Sequence, residues 1–196
     1  LKRGENQTRV WMERDDGLLV CSGTAALGDH SRSELRNLDY RPCDPEELRI
    51  LRKVKPGMSL GSYDIVATTD KQFERYDKKL ISDPMSWYRQ KSPWGGPVAA
   101  PCTILEFLWG NAMQGLGPLG EESTGLFGAM EIGYTHGPFI MGRRYRIECS
   151  VVCVSQSPKT EIVWYDSEAF SESGELVATL RIQSRAMKAS SPLYDS

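Results

Sequence analysis

Hydrophobic and polar residues alternate through the last third of the 196-residue chain, and this pattern predicts long β-strands. From residue 145 to 153 every second side chain is apolar, until the polar stretch 155–159 interrupts the alternation. A run rich in β-branched and aromatic residues follows at 160–170, and a third alternating run begins at Leu176. Because short polar turns separate the three runs, the sequence predicts three consecutive antiparallel strands.

One long helix precedes these strands. The loop 92–97 is rich in glycine and proline, so the helix is expected to begin near Pro97, and the segment 115–118 is expected to end it. Upstream, residues 61–69 predict a strand that leads into a short helix, and residues 126–134 predict another strand. On a helical wheel, the apolar arc of the long helix contains Ile104, Leu105, Leu108, Trp109, Ala112 and Met113, opposite Thr103, Glu106 and Gln114. Phe107 falls on the polar side, so this side is expected to be partly covered.

The first 27 residues resemble the last predicted hairpin. Both segments have the pattern strand, glycine turn, strand, and their turn glycines Gly17 and Gly174 are 174 − 17 = 157 positions apart. Glycine-turn hairpins are common, so a chance likeness is the alternative to an internal repeat. Residues 28–52 are charged and loop-like, and we expect them to form a linker on the surface.

Composition and charge exclude several classes of protein. The chain has 24 Lys and Arg against 26 Asp and Glu, and it lacks the concentrated basic face of a nucleic-acid-binding protein. Its apolar stretches are far shorter than the roughly 20 residues that span a bilayer. The five cysteines are scattered without the paired spacing of a zinc site. We therefore expect a cytoplasmic protein with reduced thiols, no metal or cofactor, and no nucleic-acid or membrane partner.

With this order of elements, three glycine-bearing segments resemble the MaoC-like hydratases and dehydratases, a family with the hot-dog fold. The resemblance implies an α+β fold in which a long antiparallel sheet wraps around a central helix. It also implies that the chain is the C-terminal part of a double hot-dog protein. The segments that carry the resemblance are 92–99, 137–142 and 174–178. The implied domains are the closing hairpin of a preceding unit at 1–27, a linker at 28–55, the hot-dog domain at 56–188 and a tail at 189–196.

The resemblance implies hydration or dehydration of an acyl thioester, carried by coenzyme A or an acyl carrier protein, or of a related small carbonyl compound. Such a reaction needs acid/base groups and hydrogen-bond donors for the developing enolate oxygen. In the family, backbone N–H groups at the start of the long helix supply these donors. Here Gly95, Gly96 and Pro97 match that helix entry.

The acid/base residues depart from the family pattern, which has an Asp followed by a His within an Asn-Pro-x-His run. Asp83 matches either the Asp or the Asn, although an Asp before Pro is also a common turn former. Trp87 or Tyr88 occupies the His position, and neither indole nor an ordinary phenol is a good base at neutral pH. We therefore expect Trp87, Tyr88 and Trp94 to line the pocket, and Asp83 and His136 to be the candidate catalytic residues.

Several functions stay open from the sequence. The first is a hydratase or dehydratase, or a related lyase or isomerase that needs no His in the loop. The second is a catalytically silent half that binds the acyl chain, or completes a pseudo-dimer whose Asp and His lie before Leu1. The third is a thioesterase that uses Glu106 on the long helix, whereas Cys102 is expected to be a packed thiol. An open sheet edge would favour a homodimer or a pseudo-dimer with a second hot-dog unit.

Overall fold

A computed structural model describes most of the chain. Within its described residues, no helix is both long enough and apolar enough to cross a membrane. The candidate Asp83 and the predicted tail 189–196 lie outside the described residues. The described ranges are 7–29, 33–79, 85–120 and 122–188.

The chain divides into two compact units, Leu1–Asn37 and Leu38–Ser196. The first unit contains an antiparallel hairpin of β1 (Gln7–Glu13) and β2 (Leu19–Ala26). The turn uses Gly17, whose φ of 80° lies in the left-handed region that favours glycine. The predicted hairpin is therefore confirmed, while its assignment to a preceding hot-dog unit stays a prediction. Its exposed large apolar side chains include Val10, Trp11, Met12, Leu19 and Val20.

The second unit is a five-stranded antiparallel sheet packed on one long helix. The strand order is β3-β5-β6-β7-β4, so the three consecutive strands β5, β6 and β7 form the predicted meander between β3 and β4. This is the order of elements expected from the sequence. The elements are β3 (Ser59–Val66), α1 (Asp70–Asp77), α2 (Pro101–Leu116), β4 (Gly125–Tyr134), β5 (Arg144–Gln156), β6 (Thr160–Ser171) and β7 (Leu176–Met187).

Helix α2 packs closely against the sheet. A Cβ at Gly115 would lie 1.8 Å from the backbone oxygen of Leu60, so only glycine allows this approach of α2 to β3. Thr103 is buried, although the helical wheel placed it opposite the apolar arc. The ring of Phe107 stacks on Phe139 at 5.8 Å, which confirms that the polar side of the wheel is partly covered. Buried core residues from the helix and the sheet include Ile104, Leu108, Ala112, Ile147, Tyr165 and Leu180.

Helix α2 begins at Pro101, four residues later than expected. Residues 97–99 are extended instead: the Val98 backbone forms a bridge with Ile140, and the N–H of Met141 donates to the Pro97 carbonyl at 2.8 Å. The prediction that Pro97 lies in the first helical turn is therefore wrong. A proline has a fixed φ and no N–H, which suit an extended residue as well as the first helical position, and here Pro101 takes that position.

The segment expected to be a surface linker contributes to the core of the second unit. Leu48, Ile50, Leu51 and Val54 are buried in the same cluster as α2. The buried carboxylate of Glu161 accepts the backbone N–H groups of residues 49–51, each at 2.9 Å. The surface expectation is therefore wrong for this stretch, because the many charged residues around it masked its few apolar positions.

Candidate functional site

The start of α2 is fixed by one buried side chain, Gln72 on α1. Its Oε1 accepts the backbone N–H of Ala100 at 2.8 Å. Its Nε2 donates to the carbonyl of Val98 at 3.0 Å and to the carbonyl of Tyr88 at 2.6 Å. Gln72 is fully buried, so a single amide ties the loop that carries Tyr88 to the residues just before α2.

One backbone donor is left over in the first turn of α2. Pro101 has no N–H, and the N–H groups of Thr103 and Ile104 both donate to the Ala100 carbonyl, at 2.8 and 3.1 Å. Within the described part of the chain, the N–H of Cys102 has no acceptor. A helix N-terminus carries a partial positive charge, so this N–H can bind an oxygen atom that carries or develops negative charge.

The Tyr88 hydroxyl and the Cys102 thiol both lie within electrostatic range of the Tyr134 hydroxyl. Burial of its hydroxyl raises the pKa of Tyr134 to about 12, and the neighbouring Tyr88 hydroxyl and Cys102 thiol add to the increase. The Tyr134 residue as a whole is 46% exposed. At neutral pH this phenol is protonated and acts as a hydrogen-bond donor rather than a base. Cys102 is exposed, which corrects the expectation of a packed thiol.

Gly95 and Gly96 lie in the loop before α2 rather than at its first turn. The N–H of Gly95 donates to the carbonyl of Ser92 at 3.0 Å, and its φ of 115° is one that favours glycine. A Cβ at Gly96 would lie 3.3 Å from the backbone oxygen of Met141. These glycines shape the loop, and the helix start supplies its free donor from Cys102 instead. Contact of Gly95, Gly96 and Pro97 with a substrate stays a prediction.

Trp87 and Trp94 lie together on the surface. Their rings pack edge to face with centroids 5.5 Å apart, and 37% of Trp87 and 47% of Trp94 is exposed. Tyr88 is half-buried, and its ring lies 6.3 Å from that of Tyr76. The structure therefore brings the two predicted tryptophans together at the exposed end of the loop, with Tyr88 on the side of the helix start.

His136 lies just beyond the end of β4. Its Nδ1 is 2.9 Å from the carbonyl oxygen of Leu176. Because a carbonyl only accepts hydrogen bonds, Nδ1 carries the proton in this pair, and the lone pair of the neutral ring is on Nε2. His136 is exposed and follows Tyr134 by two residues, a span of at most about 7 Å along an extended chain. The His136 imidazole is thus a base close to the end of β4, where Tyr134 lies.

Glu106, the residue considered for a thioesterase, is held in ion pairs between α1 and α2. Its carboxylate contacts the Lys71 ammonium at 2.9 Å and the Arg75 guanidinium. Partial burial alone would raise the pKa of Glu106, but the hydrogen bond from Lys71 and the charge of Arg75 outweigh it and lower the pKa. The carboxylate therefore links the two helices, and this pairing leaves the thioesterase hypothesis without support from the geometry.

Sequence reasoning missed Gln72, and it considered the thiol of Cys102 but not its backbone N–H. The Gln72 amide bonds and the free Cys102 N–H both depend on where α2 begins, which the sequence placed too early. Within the described ranges, no three His, Cys, Asp or Glu side chains form a group that would hold a metal ion.

No family model matches the sequence, and no curated protein matches it. Solved structures do match it. A monoamine oxidase regulatory protein from Archaeoglobus matches with a TM-score of 0.56 at 18% identity, over 72% of this chain and 95% of that one. The HadBC (3R-hydroxyacyl-ACP dehydratase) complex from Mycobacterium tuberculosis matches with a TM-score of 0.56 at 15% identity, over 68% and 99%. A MaoC-like dehydratase from Rhodospirillum rubrum matches with a TM-score of 0.52 at 17% identity, over 71% and 97%.

At these identities the matches show the fold. The predicted α+β hot-dog architecture is therefore confirmed: a five-stranded antiparallel sheet is packed on the long helix α2, as in a solved MaoC-like dehydratase.

Proposed function

We propose that this chain binds an acyl thioester at the start of α2 and catalyses the addition or removal of water, as a hydratase or dehydratase. One observation carries the proposal: the Cys102 N–H, at the N-terminus of α2, has no acceptor within the described part of the chain. The Cys102 thiol lies within electrostatic range of the Tyr134 hydroxyl. The fold supports it, because solved structures with this architecture include a MaoC-like dehydratase.

The donors at this site match the charge that develops in the reaction. When water adds to the β-carbon of an α,β-unsaturated thioester, negative charge accumulates on the carbonyl oxygen as the enolate forms. The Cys102 N–H and the helix dipole stabilise that oxygen, and the protonated Tyr134 hydroxyl supplies a second donor. Donors of this kind contribute most when they are fixed before the reaction, and Gln72 fixes the residues that lead into the helix.

His136 is the described residue best suited to move the proton. Its Nε2 accepts a proton from water as the water oxygen bonds to the β-carbon, and the same Nε2 then delivers that proton to the α-carbon as the enolate collapses, so that H and OH of one water are added. In the reverse direction, Nε2 returns its proton to the departing hydroxide. Asp83 stays the second acid/base candidate, supported by its match to the acidic position of the family motif.

A second candidate function is a hot-dog half that binds the acyl thioester without reacting it. The observation that favours it is the chemistry beside Cys102, where Tyr134 stays protonated and Trp87 or Tyr88 stands at the family's His position. Such a half would complete a homodimer or a pseudo-dimer whose other unit carries the acid/base pair. The similar HadBC structure, which is a complex, supports this arrangement.

The test is hydration of crotonyl-CoA, followed by loss of the enoyl absorbance, with release of free coenzyme A measured in parallel. We expect the chain to hydrate the substrate, and His136→Ala to lower kcat by about 10²- to 10⁴-fold, the usual contribution of a general base. His30→Ala, at the other of the two histidines, is the matched control and should leave kcat unchanged.

Each outcome of the assay separates the candidates. Binding of crotonyl-CoA without hydration would support the non-catalytic half and overturn the hydratase. Hydration that is unaffected by His136→Ala but lost in Asp83→Asn would move the base to Asp83. Release of coenzyme A in place of hydration would show a thioesterase and overturn both proposals.

A further inference from the structure

The exposed pair of Trp87 and Trp94 has no role in the mechanism above. Two large indole rings in contact, each more than a third exposed, form an apolar patch on the surface. The flat faces of indoles are suited to stacking on a planar heteroaromatic ring. The patch is therefore suited to a ligand with such a ring.

The loop that carries Trp94 is rigid. The Ser92 carbonyl accepts the N–H of Gly95 at 3.0 Å, which closes a turn with Trp94 near its tip. The Ser92 hydroxyl donates to the Gly96 carbonyl at 2.7 Å and accepts the N–H of Trp94 at 3.3 Å. Ser92 itself is only 4% exposed. Trp94 is thus presented to solvent by a fixed turn, and a preorganised ring loses little conformational entropy when it binds a ligand.

Two cationic residues lie near the turn that carries Trp94. The Arg143 guanidinium lies beside Gly95, the residue after Trp94, with Nη2 4.0 Å from the position that a Cβ would take there. Lys91 is exposed at the base of the same turn. Within the described ranges, neither cation has a carboxylate at salt-bridge distance. By contrast, Arg89 is already paired with Asp77 at 3.0 Å. Arg143 and Lys91 are therefore available to bind an anion such as a phosphate.

The indole pair is joined to the proposed thioester site by a short backbone path. The Trp87 carbonyl accepts the N–H of Val98 at 2.9 Å, and Val98 precedes Cys102 by four residues. Four extended residues span at most about 14 Å. The extended pantetheine arm of coenzyme A joins a thioester to an adenine nucleotide over a distance of this order.

We propose that Trp94 stacks on the adenine ring of coenzyme A, with the perpendicular Trp87 ring at the adenine edge, while Arg143 and Lys91 bind its phosphate groups, so that the carrier of the acyl group is coenzyme A. The inference rests on the proposed function in taking the start of α2 as the place of the thioester. Adenine supplies the planar ring and the phosphates supply the negative charge, which together match the two features of the patch. An acyl carrier protein would present a phosphopantetheine arm without an adenine ring.

Isothermal titration calorimetry of the full chain with adenosine 3′,5′-bisphosphate tests the inference without any acyl group. We expect binding, and Trp94→Ala should weaken it about tenfold, a typical effect of losing one stacked ring. Arg143→Gln should also weaken binding, and the weakening should diminish at high salt. Trp11→Ala, which removes an exposed tryptophan from the first unit, is the matched control and should bind as the unchanged chain does.

Three results would overturn the inference: no bisphosphate binding, equal affinities of Trp94→Ala and Trp11→Ala, or tighter binding of ATP than of coenzyme A. The hydration assay separates this failure from failure of the proposed function. If crotonyl-CoA is hydrated and Trp94→Ala leaves its KM unchanged, the nucleotide site is wrong and the hydratase stands. If no hydration occurs but the bisphosphate binds through Trp94, the hydratase is wrong and the nucleotide site stands.

Discussion

Replacing Gln72 with methionine tests whether one buried amide fixes the start of α2. Methionine has a similar length and helix propensity, but it neither accepts the Ala100 N–H nor donates to the carbonyls of Val98 and Tyr88. The bonds to Val98 and Ala100 are buried, so the substitution leaves at least two buried polar groups without partners.

The expected loss of stability follows from these bonds. Each orphaned buried group costs about 1–3 kcal/mol, which gives about 4 kcal/mol for two. Burying the apolar methionine side chain stabilises the folded state by about 2 kcal/mol and offsets part of this cost. The net change is therefore about 2 kcal/mol of unfolding free energy, or about 4–8 °C in Tm for a unit of this size.

Urea denaturation followed by far-UV circular dichroism measures this change, and hydrogen exchange of the Ala100 amide locates it. Gln114→Met is the matched control, since Gln114 is exposed on α2 and should change stability by less than about 0.5 kcal/mol. The reasoning is refuted if Gln72→Met costs no more than Gln114→Met, or if the Ala100 amide exchanges at the same rate in both proteins. Either result would mean that the loop keeps its place without the amide.

Three further predictions concern the packing around the site. Gly115→Ala should destabilise the folded chain by more than about 2 kcal/mol because its Cβ would meet the Leu60 backbone. In Gly110→Ala the new Cβ meets nothing within 4 Å, so this variant should be stabilised by about 0.5–1 kcal/mol, and equal urea midpoints of the two variants would contradict the prediction. Glu161→Gln should cost about 1–3 kcal/mol because an amide cannot accept all three backbone N–H groups, and an unchanged midpoint would show that the carboxylate is dispensable. Glu106→Gln should lower the free energy of unfolding at pH 7 because the folded-state pKa of Glu106 is depressed. This loss of stability relative to the unchanged chain should disappear as the pH falls below that pKa, and an equal loss at pH 7 and pH 3 would contradict the prediction.

The strands and the central helix were predictable because burial imposes a period on the sequence. In β5 the buried positions alternate from Tyr145 to Val151, as the apolar pattern predicts. Chain order then determines the meander, because consecutive strands joined by short turns pair as neighbours. The glycine and proline signals located the loop before α2 but not its exact end.

The features that could not be predicted from the sequence depend on long-range hydrogen bonds. Gln72 bonds to Ala100, 28 positions away, and Glu161 bonds to Ile50, 111 positions away. In the sequence both appear as ordinary polar residues, since polarity gives no sign of which polar side chains are buried with partners. The role of Cys102 likewise follows only once the helix is known to begin at Pro101, whose missing N–H leaves Cys102 as the first donor.

A crystal structure of this chain with bound crotonyl-CoA is the most direct test of the central proposal, that a thioester binds at the start of α2. We expect the thioester oxygen within about 3 Å of the Cys102 nitrogen, the ordinary N–H···O distance, with the acyl chain beside Tyr88 and Tyr134. A thioester bound elsewhere, with the Cys102 N–H left to water, would contradict both the hydratase and the acyl-binding half.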